Sequence, residues 1–296
     1  MEKLFQGIFA ALTTPFLGDD VSLSRLQANI EKYNRTGLAG YVILGSTGEA
    51  VLLSDDESER VICAAVEAAS TDKMIIAGTS HESVKHTIEL ANRAADAGVR
   101  AVLVKPPHYY KSRMSPDALR SYYLKVAEHV RVPVLIYNFP QTCVISVDPP
   151  LIADLARHPN ISGIKDSSGA LANLLEVLPR VKPDFDFLIG AGSVVLPGLM
   201  MGASGGILAM AAAVPDLCVK LYGMFRDGLI EPAKKLQFDL IPLNKALTQT
   251  LGIPAIKYAL DLQGFHGGLP RLPLLPLDEK GKTETAVLLK KLGVTF

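Results

Sequence analysis

The chain has 296 residues, 49% of them hydrophobic and 20% charged, with thirty Lys+Arg balancing thirty Asp+Glu. That apolar content is ample for a buried core and sets disorder aside, while the neutral balance, with no basic run, disfavours nucleic acid as a partner. The three cysteines, Cys63, Cys143 and Cys218, contain no Cys-x-x-Cys pair and suggest neither a disulfide framework nor a thiolate metal site.

Residues 1–20 lack the basic start, long apolar core and small cleavage site of an export signal, because Thr13, Thr14, Pro15 and Gly18 interrupt the apolar letters. No stretch reaches about 18 uninterrupted apolar residues, the length a membrane helix needs. A cytoplasmic protein without a membrane partner is the expectation.

Short apolar, β-branched runs then recur at residues 7–12, 41–44, 74–77, 101–104, 134–137, 161–164, 185–189 and 206–209. Between them apolar residues fall at helical spacing, as in Leu23, Leu26, Ile30 and in Leu119, Tyr122, Tyr123, Val126. Continuous apolar letters imply strands buried on both faces, as in parallel sheets covered by helices. Eight such units predict an α/β fold, a (β/α)8 barrel over residues 1–225. Helical patterns at 231–250, 253–262 and 279–291 predict a C-terminal helical extension, 226–296, belonging to the same structural unit.

Barrel sites are built at the C-terminal ends of the strands, so polar letters there are the candidates. The second run ends in Gly45-Ser46-Thr47-Gly48-Glu49, which reads either as a carboxylate nest of hydroxyls and N–H groups or as an ordinary turn. The fourth ends in Lys105. The fifth ends in Tyr137-Asn138-Phe139-Pro140, holding a phenol at the barrel mouth either to carry a proton or simply to reach water.

The sixth run is followed by Lys165. An amine must be neutral to attack a carbonyl, and with an ordinary pKa only about one lysine in 2,500 is neutral at pH 7. An apolar mouth favours the neutral form. Strand parity does not separate Lys165 from Lys105, and either fits a lysine that reaches out to solvent. The glycines of 190–193 and 202–206 suit a phosphate cradle or close packing. The six histidines show no metal-ligand spacing, so no metal is expected.

Together, Gly45-Ser46-Thr47-Gly48-Glu49, Tyr137-Asn138-Phe139-Pro140 and Gly163-Ile164-Lys165-Asp166-Ser167 resemble the dihydrodipicolinate synthase and N-acetylneuraminate lyase family, and the likeness runs from Ala11-Leu12-Thr13-Thr14-Pro15-Phe16 to Gly252-Ile253-Pro254-Ala255-Ile256-Lys257. The resemblance implies a class I aldolase: Lys165 forms a Schiff base with pyruvate or another 2-oxo acid, Tyr137 shuttles the proton, and Ser46, Thr47 and Gly48 hold the carboxylate. Thr47 is expected to take part in the chemistry as well. Gly190, Ser167 and Thr142 complete the implied binding set, and no metal or organic cofactor is needed. One of Tyr109 and Tyr110 is expected to reach a neighbouring subunit's site, in a homotetramer built as a dimer of dimers.

Thr142 departs from the synthases of this family, which carry an arginine there for the aldehyde substrate's carboxylate. Together with similarity to 4-hydroxy-2-oxoglutarate aldolases in Tyr109-Tyr110-Lys111-Ser112-Arg113-Met114-Ser115, it leads to the expectation of cleavage of 4-hydroxy-2-oxoglutarate or a 2-oxo-3-deoxy sugar acid. The alternatives are 4-hydroxy-tetrahydrodipicolinate synthesis from pyruvate and aspartate semialdehyde, a phosphosugar enzyme with a phosphate cradle, and a non-catalytic 2-oxo acid binding protein.

Overall fold

The eight apolar runs pair side by side into one closed parallel ring. In the computed structural model, which describes residues 3–296, they form β1 (Gly7–Ala11), β2 (Gly40–Ile43), β3 (Met74–Gly78) and β4 (Ala101–Val104). The ring continues through β5 (Val134–Asn138), β6 (Ile161–Asp166), β7 (Asp186–Ile189) and β8 (Gly205–Leu208). Each strand bonds to the next, and β8 closes on β1. The fold is the (β/α)8 barrel with C-terminal helices. One boundary differs from the sequence reading: β6 runs through Asp166, so Lys165 lies inside the strand and not after it.

The absence of polar alternation in the strands has a direct cause. Phe9, Val42, Ile76, Leu103, Leu135, Leu188 and Ile207 fill the barrel interior. Their neighbours Ile8, Tyr41, Ile43, Val102, Val104, Ile136 and Ile164 face the surrounding helices and are equally buried. Both faces are therefore dry.

Helix starts are fixed by side chains that accept the otherwise unpaired first N–H groups. Ser54 and Glu57 form a reciprocal capping box at Asp55–Ala68, and Ser83 and Ser115 cap Val84–Ala97 and Pro116–His129. After β8 the chain is helical. Ile230–Lys245 runs into a π-helical turn, Ala246–Thr250, and Ile253–Leu262 and Glu279–Lys291 follow. Leu240, Leu247, Ile256 and Leu260 bury themselves in the same core as the barrel's outer face. Among the described residues, no helix is long and apolar enough to cross a membrane.

Candidate active site

A cavity of about 1390 Å³ opens at the C-terminal ends of the strands. Its floor is set by strand register. Lys165 on β6 pairs with Tyr137 on β5, and Tyr137 belongs to the interior set. Lys165 Nζ lies 4.2 Å from the centre of the Tyr137 ring, and each residue is only 5% exposed. The Tyr137 hydroxyl stands 3.4 Å from Ser46 Oγ, and Phe139 stacks against the phenol at 5.8 Å. An amine, a phenol and a hydroxyl are thus held close together at the cavity floor, the first two almost wholly covered by protein.

The loop carrying Ser46 is a strained turn held from outside. Leu44 and Glu49, at its two ends, adopt φ of 53° and 56°, a left-handed conformation that costs a non-glycine residue energy. Thr14 Oγ1 donates to the Gly48 carbonyl at 2.7 Å. Glu49 Oε1 lies 2.7 Å from Lys257 Nζ, and Glu49 Oε2 accepts from the Arg271 N–H at 2.8 Å. Lys257 also donates to the carbonyls of Thr14 and Leu269. Burial pushes the Lys257 ammonium below its ordinary pKa, with Glu49 acting in the opposite sense.

The ends of β5, β6 and β7 are stitched by Asp166. Its carboxylate accepts from the Ser168 N–H at 2.8 Å and from the side-chain amides of Asn173 and Asn138 at 3.0 and 3.3 Å. Its carbonyl accepts from the Gly190 N–H at 2.7 Å. Asn138, fully buried, also accepts from the Val147 N–H through Oδ1. At Gly190 an added Cβ would sit 2.1 Å from Ser167 Oγ, which would have to turn away, and 3.0 Å from the Asp166 carbonyl oxygen and Ser167 Cα, so the close approach of these two loops favours glycine.

The structure brings Ser46, Thr47, Tyr109, Tyr137, Thr142, Lys165, Ser167 and Gly190 to the cavity wall. Gly48 and Tyr110 are not in the wall; Gly48 instead supports the loop through its carbonyl. The hydroxyl that meets the phenol is that of Ser46, not Thr47. Tyr109 and Tyr110 are 76% and 68% exposed, packed edge to face with ring centres 5.1 Å apart. Gly205 and Gly206 open β8, far from its C-terminal end, and a Cβ on Gly205 would meet the Gly7 carbonyl oxygen at 1.9 Å. Close packing accounts for that segment, which contributes nothing to the cavity wall, and the phosphate-cradle reading loses half its basis there.

Lys105 lines the same cavity. It follows Leu103, an interior residue, by two positions, so alternation aims it inward too. Parity indeed fails to separate the two lysines. Their surroundings differ: Lys105 sits beside Glu82 and His108, whereas Lys165 faces Tyr137. Sequence reasoning missed Thr14, Asn138, Asp166 and Lys257 as supports. The one available signal was a lysine placed in the apolar run of Ile253–Leu262.

Residues 4–292 match the model of the dihydrodipicolinate synthetase family. The 4-hydroxy-tetrahydrodipicolinate synthase of Methanosarcina barkeri is 38% identical over 98% of this chain and 99% of its own. A solved structure of YagE, a prophage protein of the dihydrodipicolinic acid synthase family from E. coli K12 in complex with pyruvate, superposes with a TM-score of 0.92 at 30% identity, covering 98% of this chain and 99% of that one. A monomeric dihydrodipicolinate synthase variant superposes equally well, TM-score 0.92 at 27% identity over 98% and 97% of the two chains.

Proposed function

Because the chain belongs to the dihydrodipicolinate synthetase family, and is thereby a class I, Schiff-base lyase acting on pyruvate with no metal or organic cofactor, we propose that Lys165 is the residue that carries the imine. The observation that supports this is the contact of Lys165 with Tyr137 and of Tyr137 with Ser46, with Lys165 and Tyr137 both buried at the cavity floor. The amine attacks the ketone carbon of pyruvate, and water leaves as the C=N bond forms. Tyr137 donates the proton that the departing oxygen needs and takes it back in the reverse direction. The imine draws electrons from the adjacent carbon, whose methyl proton passes to the Tyr137 phenolate left by the dehydration, giving an enamine, the nucleophile for an aldehyde. N–H groups and hydroxyls of Ser46 and Thr47 hold the pyruvate carboxylate, with Ser167 and the Gly190 backbone closing the pocket.

For the second substrate, the full-length likeness to curated 4-hydroxy-tetrahydrodipicolinate synthases favours aspartate semialdehyde. Thr142 in the cavity wall favours a second reading, cleavage of 4-hydroxy-2-oxoglutarate or a related 2-oxo acid, because a threonine does not supply the bidentate cation of an arginine. A panel decides between them: condensation of pyruvate with aspartate semialdehyde, against pyruvate release from 4-hydroxy-2-oxoglutarate and 2-oxo-3-deoxy sugar acids. Efficient synthesis supports the first and excludes the second as the main activity. Pyruvate binding with no turnover on any member would leave only a binding protein.

The exposed Tyr109–Tyr110 pair supports a homotetramer in which one tyrosine completes a neighbour's site; light scattering showing a monomer, as in the variant above, would oppose it. The packing of the helices after residue 226 over the site supports treating them as part of the barrel unit, and the cytoplasm is the proposed compartment.

A further inference from the structure

Among the described residues, Lys105 is the one lysine or arginine besides Lys165 in the cavity wall. Its side chain is only 15% exposed. A charge this shielded needs compensation, and the protein supplies one ion pair, from a carboxylate that also serves the neighbouring loop. Glu82 Oε1 lies 3.7 Å from the ammonium, beyond hydrogen-bond distance, and 2.8 Å from His108 Nδ1. Glu82 Oε2 accepts from the backbone N–H groups of His108 and Tyr109 at 2.8 and 2.9 Å. The carboxylate is therefore committed to the loop. Burial alone would raise its pKa, and these two N–H groups, with the charges of His108 and Lys105, bring it below the ordinary value.

The nearest partner of the ammonium is His108 Nδ1, at 3.2 Å. One ring nitrogen does not both donate to Glu82 and accept from Lys105. Of the three N–H donors of Lys105, at least two are thus left without a protein acceptor among the described residues.

Those donors stand at a useful distance. Val104 pairs with Ile136 and Tyr137 with Lys165, which sets Lys105 level with Tyr137 and two strands from Lys165, about 10 Å between Cα atoms. Thr142 and Cys143, on the short helix Pro140–Cys143, share the cavity wall with Lys105; burial raises the Cys143 thiol pKa and Lys105 acts in the opposite sense. Arg113 and Lys111, the other cations of this region, are exposed and lie outside the wall.

We propose that Lys105, held by the Glu82–His108 pair, is the cation that recognises the carboxylate of the second substrate while Lys165 carries pyruvate. The inference rests on the imine reading above. A dipicolinate product carries two carboxylates, one brought by pyruvate and the other by its partner, and 4-hydroxy-2-oxoglutarate likewise has a carboxylate at each end. Synthesis from aspartate semialdehyde and cleavage of 4-hydroxy-2-oxoglutarate thus both need a second anion site across the cavity from Lys165, whereas a 2-oxo-3-deoxy sugar acid, with its single carboxylate, does not.

The test compares condensation of pyruvate with carboxylated aldehydes, glyoxylate and aspartate semialdehyde, against uncharged glycolaldehyde, in wild type, Lys105→Met, Lys105→Gln and Lys105→Arg. Borohydride trapping of pyruvate reports separately whether each protein is folded and keeps its first half-reaction. The ratio of kcat/KM for carboxylated over uncharged aldehyde is expected to fall at least about tenfold in Met and Gln, as for a lost charged hydrogen bond, and to recover in Arg. An unchanged ratio in a variant that traps pyruvate, or a wild type with no preference for carboxylated aldehydes, overturns the proposal. Failure of the wild type to trap pyruvate at Lys165 would instead overturn the imine reading on which it rests.

Discussion

Lys257 Nζ lies 2.7 Å from Glu49 Oε1, with both side chains wholly removed from solvent. One residue belongs to the C-terminal helices and the other ends the Ser46–Thr47 loop, so the pair fastens the tail to the floor of the site. The left-handed turn at Glu49 persists because these bonds over-determine it.

Removing one partner leaves an uncompensated buried charge. Lys257→Met is expected to cost about 3–5 kcal/mol in urea unfolding and to raise the KM for pyruvate as the loop loosens. The double variant with Glu49→Leu should lose clearly less than the sum of the singles. A loss below about 1 kcal/mol for Lys257→Met would contradict the brace.

Acid should weaken a second clasp. Glu57 accepts from both terminal nitrogens of Arg271 at 2.7 and 2.9 Å, and the Arg271 hydrogen bonds are the leading cause that lowers its carboxyl to about 2. A folded-state pKa below the unfolded one stabilises above the ordinary carboxylate range, and that contribution fades as pH falls through it toward 2. Glu57→Gln should lower stability at neutral pH by about 1–2 kcal/mol and flatten the loss of Tm between about pH 5 and pH 2. An unchanged pH profile would dismiss the clasp.

Gly190 holds the loops at the ends of β6 and β7 close together beside the pyruvate site. In Gly190→Ala the new methyl would fall 2.1 Å from Ser167 Oγ and 3.0 Å from the Asp166 carbonyl oxygen. The expected outcome is a several-fold rise in KM for pyruvate with a stability loss of about 1–3 kcal/mol. Calorimetric titration with pyruvate checks it, and unaltered affinity would remove Gly190 from the binding set.

Tyr137→Phe keeps the ring beside Lys165 and Phe139 and removes only the hydroxyl. As the proton carrier, Tyr137 should account for about 10²–10⁴ in kcat, with Ser46→Ala costing less. A kcat within about threefold of wild type would assign the proton to another group.

The barrel was legible in the sequence because burial on both strand faces leaves unbroken apolar runs, and the eight runs match the eight strands to within a residue or two. Lys165 and Lys105 were legible as strand-end lysines, but not as different ones: both face inward, and what separates them is the phenol beside one and the Glu82–His108 pair beside the other. Glu49 and Lys257 were not legible as partners. Helical periodicity says that Ile253–Leu262 buries a face, not which loop that face covers. The same gap hid the role of Asn138, whose side chain acts on Val147 and Asp166 and leaves no pattern in the letters around it.

Borohydride reduction of the wild type with pyruvate, followed by peptide mass mapping, tests the imine at Lys165 most directly. One reduced pyruvyl group per chain is expected, on the peptide containing Lys165 and absent in Lys165→Met. An adduct on Lys105, or no pyruvate-dependent adduct at all, would contradict it.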